Sequence, residues 1–401
     1  MFLPRSSSAQ SSLFHPNDPA QAVAANLGRT RILSIDALRG FVILLMLVDH
    51  AREFFFLRHQ VGDPMDLATT DPALVLTRLS AHLCAPIFVA LTGLAAWLYA
   101  DSRAGVKASG FLLKRGLFLV ALELTVVNFA WTFDPTPATI YLQVIWAIGL
   151  SMIALAGLIH LPRPALAMLG LAIVLGHNLL DPIEFAPGQA GHTIWSILHD
   201  RGFIEVASGV TARTSYPVLP WIGVIALGYA IGPWFARQVD PLRRRRLLLM
   251  TGAVALAAFV ILRSCNAYGD PAPWVAQSDW FGSAMSFVNL TKYPPSADFL
   301  LITLGLGAWL LVALEHMPER ISAILTVFGS VPLFFYLLHL YLLHGVNRLA
   351  GYALGADDLV GVPSVAHIWV VAAVVAVPCW FACRRFAEIK RASGSWWMKY
   401  L

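Results

Sequence analysis

The chain has 401 residues, of which 58% are hydrophobic and only 13% charged, and its mean hydropathy is +0.68. Soluble domains carry about a quarter charged residues, so the composition excludes a soluble protein and points to a polytopic membrane protein. The net charge of +5 does not signal nucleic acid, because Lys and Arg cluster beside apolar runs, where orientation in the bilayer accounts for them.

Residues 1–30 are rich in Ser, Ala, Gln and Asn and contain no apolar core, so they do not form a secretory signal. They are expected to be a disordered cytoplasmic tail. A transmembrane domain is expected over 31–390, followed by a short cytoplasmic tail at 391–401. Stretches long enough to cross about 30 Å of hydrocarbon lie near 34–56, 78–100, 110–130, 140–160, 164–181, 216–236, 246–265, 297–315, 323–345 and 365–385. The predicted fold is therefore an all-α polytopic bundle of about ten spans. Ser34 is the expected N-cap of the first, with Asp36 in its opening turn.

Loop charges set the predicted orientation. Arg103, Lys107, Lys114, Arg115, Arg163, Arg237, Arg243, Arg320, Arg384 and Arg385 fall on one side of a ten-span bundle, so both termini are expected in the cytoplasm. The alternate loops carry Asp134, His199, Asp200, Asp270 and Asp279, and two of them run to some thirty residues. They are long enough to form a vestibule for an acceptor. Neither an internal repeat nor the inverted halves of many transporters is visible.

The first span reads SIDALRGFVILLMLVDHAREFF and carries Arg39 and the Asp49-His50 pair in an otherwise apolar run. On a helix, Arg39 and His50 are eleven residues apart, which leaves them within roughly 20° of one face and about 16 Å apart along the axis. That separation matches an extended pantetheine arm. A cation holding phosphate at one end could then place a thioester beside a base at the other. Ionisable residues within spans usually face a cavity or a partner. Span two carries Arg78 and His82, and span nine carries Tyr336, His339 and His344, so three helices are expected to bring histidines to one depth. His82 and His344 read as interfacial and solvated, whereas His339 reads either as a core histidine or as a site residue. Asp49 is expected either to orient a histidine or to neutralise Arg52, one turn on.

The four cysteines show no CxxC spacing, there is no HExxH, and the histidines are scattered over distant segments, so no metal is predicted. Neither GxSxG, a P-loop nor a Rossmann glycine run is present. Soluble nucleotide chemistry is not indicated.

The stretch SIDALRGFVILLMLVDHAREFF, followed by DLATTDPALVLTRLSAHLCAPIFVALTG and later by FGSVPLFFYLLHLYLLH, resembles the bacterial membrane proteins related to the catalytic domain of heparan-α-glucosaminide N-acetyltransferase. That family is similar to a wider group of transmembrane acyltransferases whose first helix carries an Arg and a His with ten residues between them, as Arg39 and His50 do here. The resemblance implies an acyl-CoA donor, acetyl-CoA in particular, bound within the bundle, and a hydroxyl or amine acceptor, such as a sugar or glycan, on the far side of a bacterial inner membrane. Arg39, with Lys114 and Arg115, would hold the donor's phosphates, and His50 would act as base with Asp49 or His339 as its orienting partner. The lysosomal enzyme's catalytic histidine resembles one beyond the first span, for which His59 is the nearest candidate, so the base lies between His50 and His59. The lipid bilayer, acyl-CoA and the acceptor are the expected partners, and oligomerisation stays open. From the residues alone, a carrier or channel for a small organic anion is the alternative, with Arg39 and the histidines as binding site and proton relay.

Overall fold

The computed structural model describes residues 32–56, 65, 70–102, 108–355, 360–395 and 398. The described chain is mostly helical. Helix α1 (Leu33–Phe55) is followed by α2 (Pro72–Ser80), which runs through one turn of 3₁₀ helix into α3 (Cys84–Asp101). Asp71 caps α2, its carboxylate accepting from the Ala73 amide at 2.7 Å. Next come α4 (Ala108–Leu122), a π-helical turn (Glu123–Val127) and α5 (Asn128–Thr132); then α6 (Val144–Leu158), α7 (Arg163–Gly176) with a 3₁₀ turn His177–Leu180, α8 (His192–Leu198) and α9 (Leu219–Ala230). The remainder is α10 (Pro241–Cys265), α11 (Trp280–Val288), α12 (Ala297–Leu314), α13 (Glu319–Ser330), α14 (Pro332–Leu354) and α15 (Val365–Ala392).

Among the described residues, five segments are long and apolar enough to cross a membrane: Pro72–Asp101, Arg163–Leu180, Pro241–Cys265, Ala297–Leu314 and Val365–Ala392. A sixth is reached if α13 and α14, which meet at an 83° bend, count as one crossing. Fewer than the ten expected segments therefore meet this standard of length and apolarity. Each of the other expected segments is helical, but α6 and α9 are short, the π turn interrupts the segment that begins with α4, and α1 carries too many charges to qualify as apolar. Ser34 is likewise not a cap: α1 starts at Leu33, and Ser34 is buried inside its first turn.

Helices approach one another closely at glycines. A Cβ on Gly40 of α1 would stand 1.9 Å from the Leu325 carbonyl oxygen of α13, and one on Gly329 would stand 1.8 Å from the Asp36 carbonyl oxygen. Gly93 of α3 and Gly228 of α9 repeat the arrangement, each with a backbone oxygen of the other helix 2.1 Å from its would-be Cβ. In a bilayer, where apolar burial drives helices together only weakly, such close backbone packing supplies the dispersion contacts that hold a bundle.

The sequence reading did not include a sheet. Strands β1 (Thr139–Leu142), β2 (Phe203–Ala207) and β3 (Val210–Thr214) form one of order β1-β3-β2, with β1 parallel and β2 antiparallel to β3. It buries Leu142, Ile204 and Ala212 against Trp146 and Ile197. Asn128 ties it to the helices, its Oδ1 accepting from the Tyr141 amide at 2.7 Å and its Nδ2 donating to the Tyr141 carbonyl at 3.0 Å. Part of the expected open vestibule is thus folded.

Arg263, at the end of α10, is 2% exposed and donates to the carbonyls of Ala272, Ser286, Phe287 and Asn289 at 2.7–3.1 Å. One guanidinium therefore shapes the connection between α10 and α12. At the other ends of these two helices, Arg244 and Arg245 pair with Glu315 at 2.8 and 2.5 Å.

Candidate active site

Helix α1 carries its polar groups on the buried side. Arg39 donates to Asp36 at 3.1 Å and to the Leu91 carbonyl of α3 at 3.3 Å. Asp36, in the opening turn of α1 as expected, is 3% exposed and forms this ion pair. Arg115 of α4 is half-buried, lies close enough to Arg39 to feel its charge, and has no carboxylate partner among the described residues. Lys114 is exposed on another face of α4.

At the other end of the same helix, His50 Nδ1 lies 2.7 Å from His339 Nε2 of α14, the two rings being nearly parallel with centroids 5.0 Å apart. His339 Nδ1 lies 2.8 Å from the Phe335 carbonyl oxygen. A carbonyl only accepts, so His339 Nδ1 carries the proton and the Nε2 of the neutral ring is a lone pair. His50 Nδ1 then donates to it. The remaining His50 nitrogen, Nε2, is a lone pair with no hydrogen bond to any described residue.

Trp131 of α5 meets the His50 ring edge-on at 5.1 Å, and Tyr336 lies one turn before His339 with its ring centroid 6.1 Å from that of His50. The Trp131 indole N–H and the Tyr336 hydroxyl are adjacent but outside hydrogen-bond geometry, and each is buried with no hydrogen-bond partner among the described residues. Two unused donors therefore stand beside a histidine whose lone pair is also unused.

Asp49 does not contact the His50 ring. It accepts from Arg52 Nε at 3.1 Å and from Arg78 at 2.5 Å, with both Asp49 and Arg78 side chains only 11% exposed. Arg52, itself 1% exposed, also reaches Glu53. This network continues toward Lys292, which is buried, and Tyr293, whose hydroxyl donates to that of Tyr216 at 3.3 Å. Burial alone would push the Tyr293 phenol up, but Lys292 and Arg78 outweigh it and leave its pKa below the usual value. Arg78 was not legible as a partner of Asp49, because contact across 29 residues leaves no local spacing.

The other expected histidines separate. His82 is buried against Phe299 at 5.1 Å, and His344, 2% exposed, donates from Nδ1 to the Ala130 carbonyl at 2.9 Å, so neither is the solvated interfacial group anticipated. His59 lies outside the described residues. All four cysteines are free, and only Cys265 is exposed.

A family model described as heparan-alpha-glucosaminide N-acetyltransferase, catalytic, matches residues 31–264, more than half of the chain. The chain belongs to this family. Membership makes it an acetyltransferase-type membrane enzyme of several apolar helices. The matched region contains Arg39, Asp49, His50, Lys114 and Arg115; His339 and Tyr336 lie beyond it. A comparison with curated proteins gave no match.

Proposed function

We propose that the chain transfers an acetyl group from acetyl-CoA to a hydroxyl or amine, such as one on a sugar, with His50 as general base. The carrying observation is the His50–His339 pair: His339, held by the Phe335 carbonyl, aims the proton of His50 Nδ1 away from the site and leaves Nε2 as the basic atom. Imidazole suits the task, because its ordinary pKa of about 6.5 lets it take the acceptor's proton near neutral pH and return it to the departing thiolate. The acceptor oxygen or nitrogen attacks the thioester carbon, the C–S bond breaks, and CoA leaves as the thiol. Tyr336 and Trp131 supply donors for the oxyanion that forms in between.

Arg39 and Arg115 are the donor's phosphate site in this reading. Two guanidiniums close enough to repel, one without a carboxylate partner, favour a bound anion. They sit about 16 Å along α1 from His50, as calculated from helical rise, so the pantetheine arm bridges them. Acyl-CoA enters from the cytoplasm and the acceptor approaches from the opposite side, with both termini cytoplasmic.

His50→Ala tests the proposal: acetyl transfer is lost while CoA still stabilises the protein in a thermal-shift titration. His59→Ala is the control. Loss of turnover in that variant with retention in His50→Ala would move the base out of α1. Reporter fusions after Leu401 and near Asp270 test the sidedness, and both reporting the same compartment would overturn it.

A further inference from the structure

A second cluster of ligand-type side chains lies apart from His50, where α7 ends and α8 ends. His177, Asp181 and His199 each offer one donor atom, all within 4.8 Å of one another. His177 is 2% exposed, and neither ring nitrogen has a hydrogen-bond partner among the described residues; the Pro295 carbonyl is near but outside hydrogen-bond geometry. A buried imidazole with both nitrogens idle has given up water for nothing in return, which costs about 1–3 kcal/mol per unsatisfied group. Something else is expected to meet it.

The surroundings show what. Asp181 Oδ2 accepts from Asn178 at 2.9 Å, leaving Oδ1 directed at His199 Nε2, 3.4 Å away. His199 Nδ1 faces Asp200 Oδ1 at 3.0 Å, while Nε2 faces the His177 carbonyl at 3.1 Å. A neutral imidazole cannot donate to both. One resolution is an imidazolium held by Asp200 and Asp181, but that leaves His177 unexplained and adds a charge beside it. The other is a cation: Asp200 takes the Nδ1 proton, and the Nε2 lone pair is freed to ligate, in the carboxylate–histidine–metal arrangement in which an outer carboxylate fixes the ring.

We infer that His177, Asp181 and His199 bind one divalent transition-metal ion of the Zn²⁺ class, with Asp200 orienting His199. Two imidazoles and a carboxylate suit such an ion, and tetrahedral bonds of about 2.0–2.1 Å bring donors to about 3.3 Å apart, a closure from the present separations that side-chain rotation supplies. The Asp181 side chain is 27% exposed, so the fourth position faces solvent and takes water or a ligand group. Trp195, stacked on His199 at 5.0 Å, covers its ring. The ion would pin α7 to the segment leading into β2, beside the start of α12, whose Ala297 amide donates to Asn178 Oδ1 at 2.8 Å.

The test uses the full-length chain in detergent, without a histidine tag and with Cys265→Ser to remove the exposed thiol. Titration with Co²⁺ as probe is expected to saturate at one equivalent per chain with a visible d–d spectrum, displaced by Zn²⁺. His177→Asn or Asp181→Asn abolishes saturation, and Asp200→Asn, a change at a part-exposed side chain, weakens binding about 10- to 100-fold. Zn²⁺ also raises the Tm of the parent chain, and chelator reverses it. Should a ligand variant not fold, the Asp200→Asn affinity and the parent stoichiometry decide. Absence of a stoichiometric complex in the folded parent, or binding unchanged in Asp181→Asn and Asp200→Asn, overturns the assignment in favour of a His199 imidazolium.

Discussion

His339 presents a lone pair to His50 because the Phe335 carbonyl, one turn back on the same helix, has claimed its only proton. His339 is a positioning residue, and its contribution is an acceptor at one point in space. His339→Leu is expected to lower the transfer rate by about 10- to 100-fold, within the range that a positioned base supplies. His339→Gln, whose amide oxygen can accept from His50 Nδ1, should recover most of that loss. Single-turnover transfer in detergent would check this, and equal losses in the two variants would show that only packing had been removed.

Tyr336→Phe keeps the ring beside His50 and deletes an unpartnered donor. If the hydroxyl faces the developing oxyanion, kcat falls by about 10²- to 10³-fold with KM little changed. A rise in KM at constant kcat would assign Tyr336 to ground-state binding instead.

Donor affinity should divide the basic residues. Arg39→Ala and Arg115→Ala are each expected to weaken CoA binding by about tenfold or more, the scale of a lost hydrogen bond to a charged group, whereas exposed Lys114→Ala leaves it nearly unchanged. Thermal-shift titration with CoA reads all three. The affinity should also fall as salt rises.

Asp49→Asn strands two buried guanidiniums, those of Arg52 and Arg78. Breaking one partner of a buried pair costs about 3–5 kcal/mol, so a large drop in Tm is expected. Arg78→Met combined with Asp49→Leu should cost less than Asp49→Asn alone, a reversal that chemical denaturation would expose.

Gly40→Ala and Gly329→Ala each drive a methyl group into a backbone carbonyl that cannot rotate away. Helices α1 and α13 must separate, with an expected loss of about 1–3 kcal/mol or more. Alanine at Gly157, which has nothing within 4 Å of its would-be Cβ, is the neutral control in the same melting assay.

Much of this was readable in the chain. Arg39 and His50 share a face because eleven residues make just over three helical turns, and His339 stood out as an ionisable group in an apolar run. What the chain did not show were pairings set by tertiary contact: Asp49 with Arg78, and the approach of His199 to His177. The sheet was also hidden, because its strands are only four or five residues long and sit between helices, too short for alternation to declare itself. Helix α1 departs from a plain apolar span for another reason: it is apolar enough to attract notice yet carries several charges.

That charge content bears on how the chain is made. Asp36, Arg39, Asp49, Arg52 and Glu53 all lie in α1, toward its two ends, and each Asp or Arg in an inserting helix raises the cost of leaving the translocon, by up to about 2.5–3.5 kcal/mol at the helix centre. The second guanidinium on Asp49 arrives only with Arg78, 29 residues later, and the helix that packs on Gly40 is synthesised nearly three hundred residues after it. Helix α1 is therefore an early segment of the domain to emerge and a late one to settle, because its Gly40 face stays uncovered until α13 has followed it.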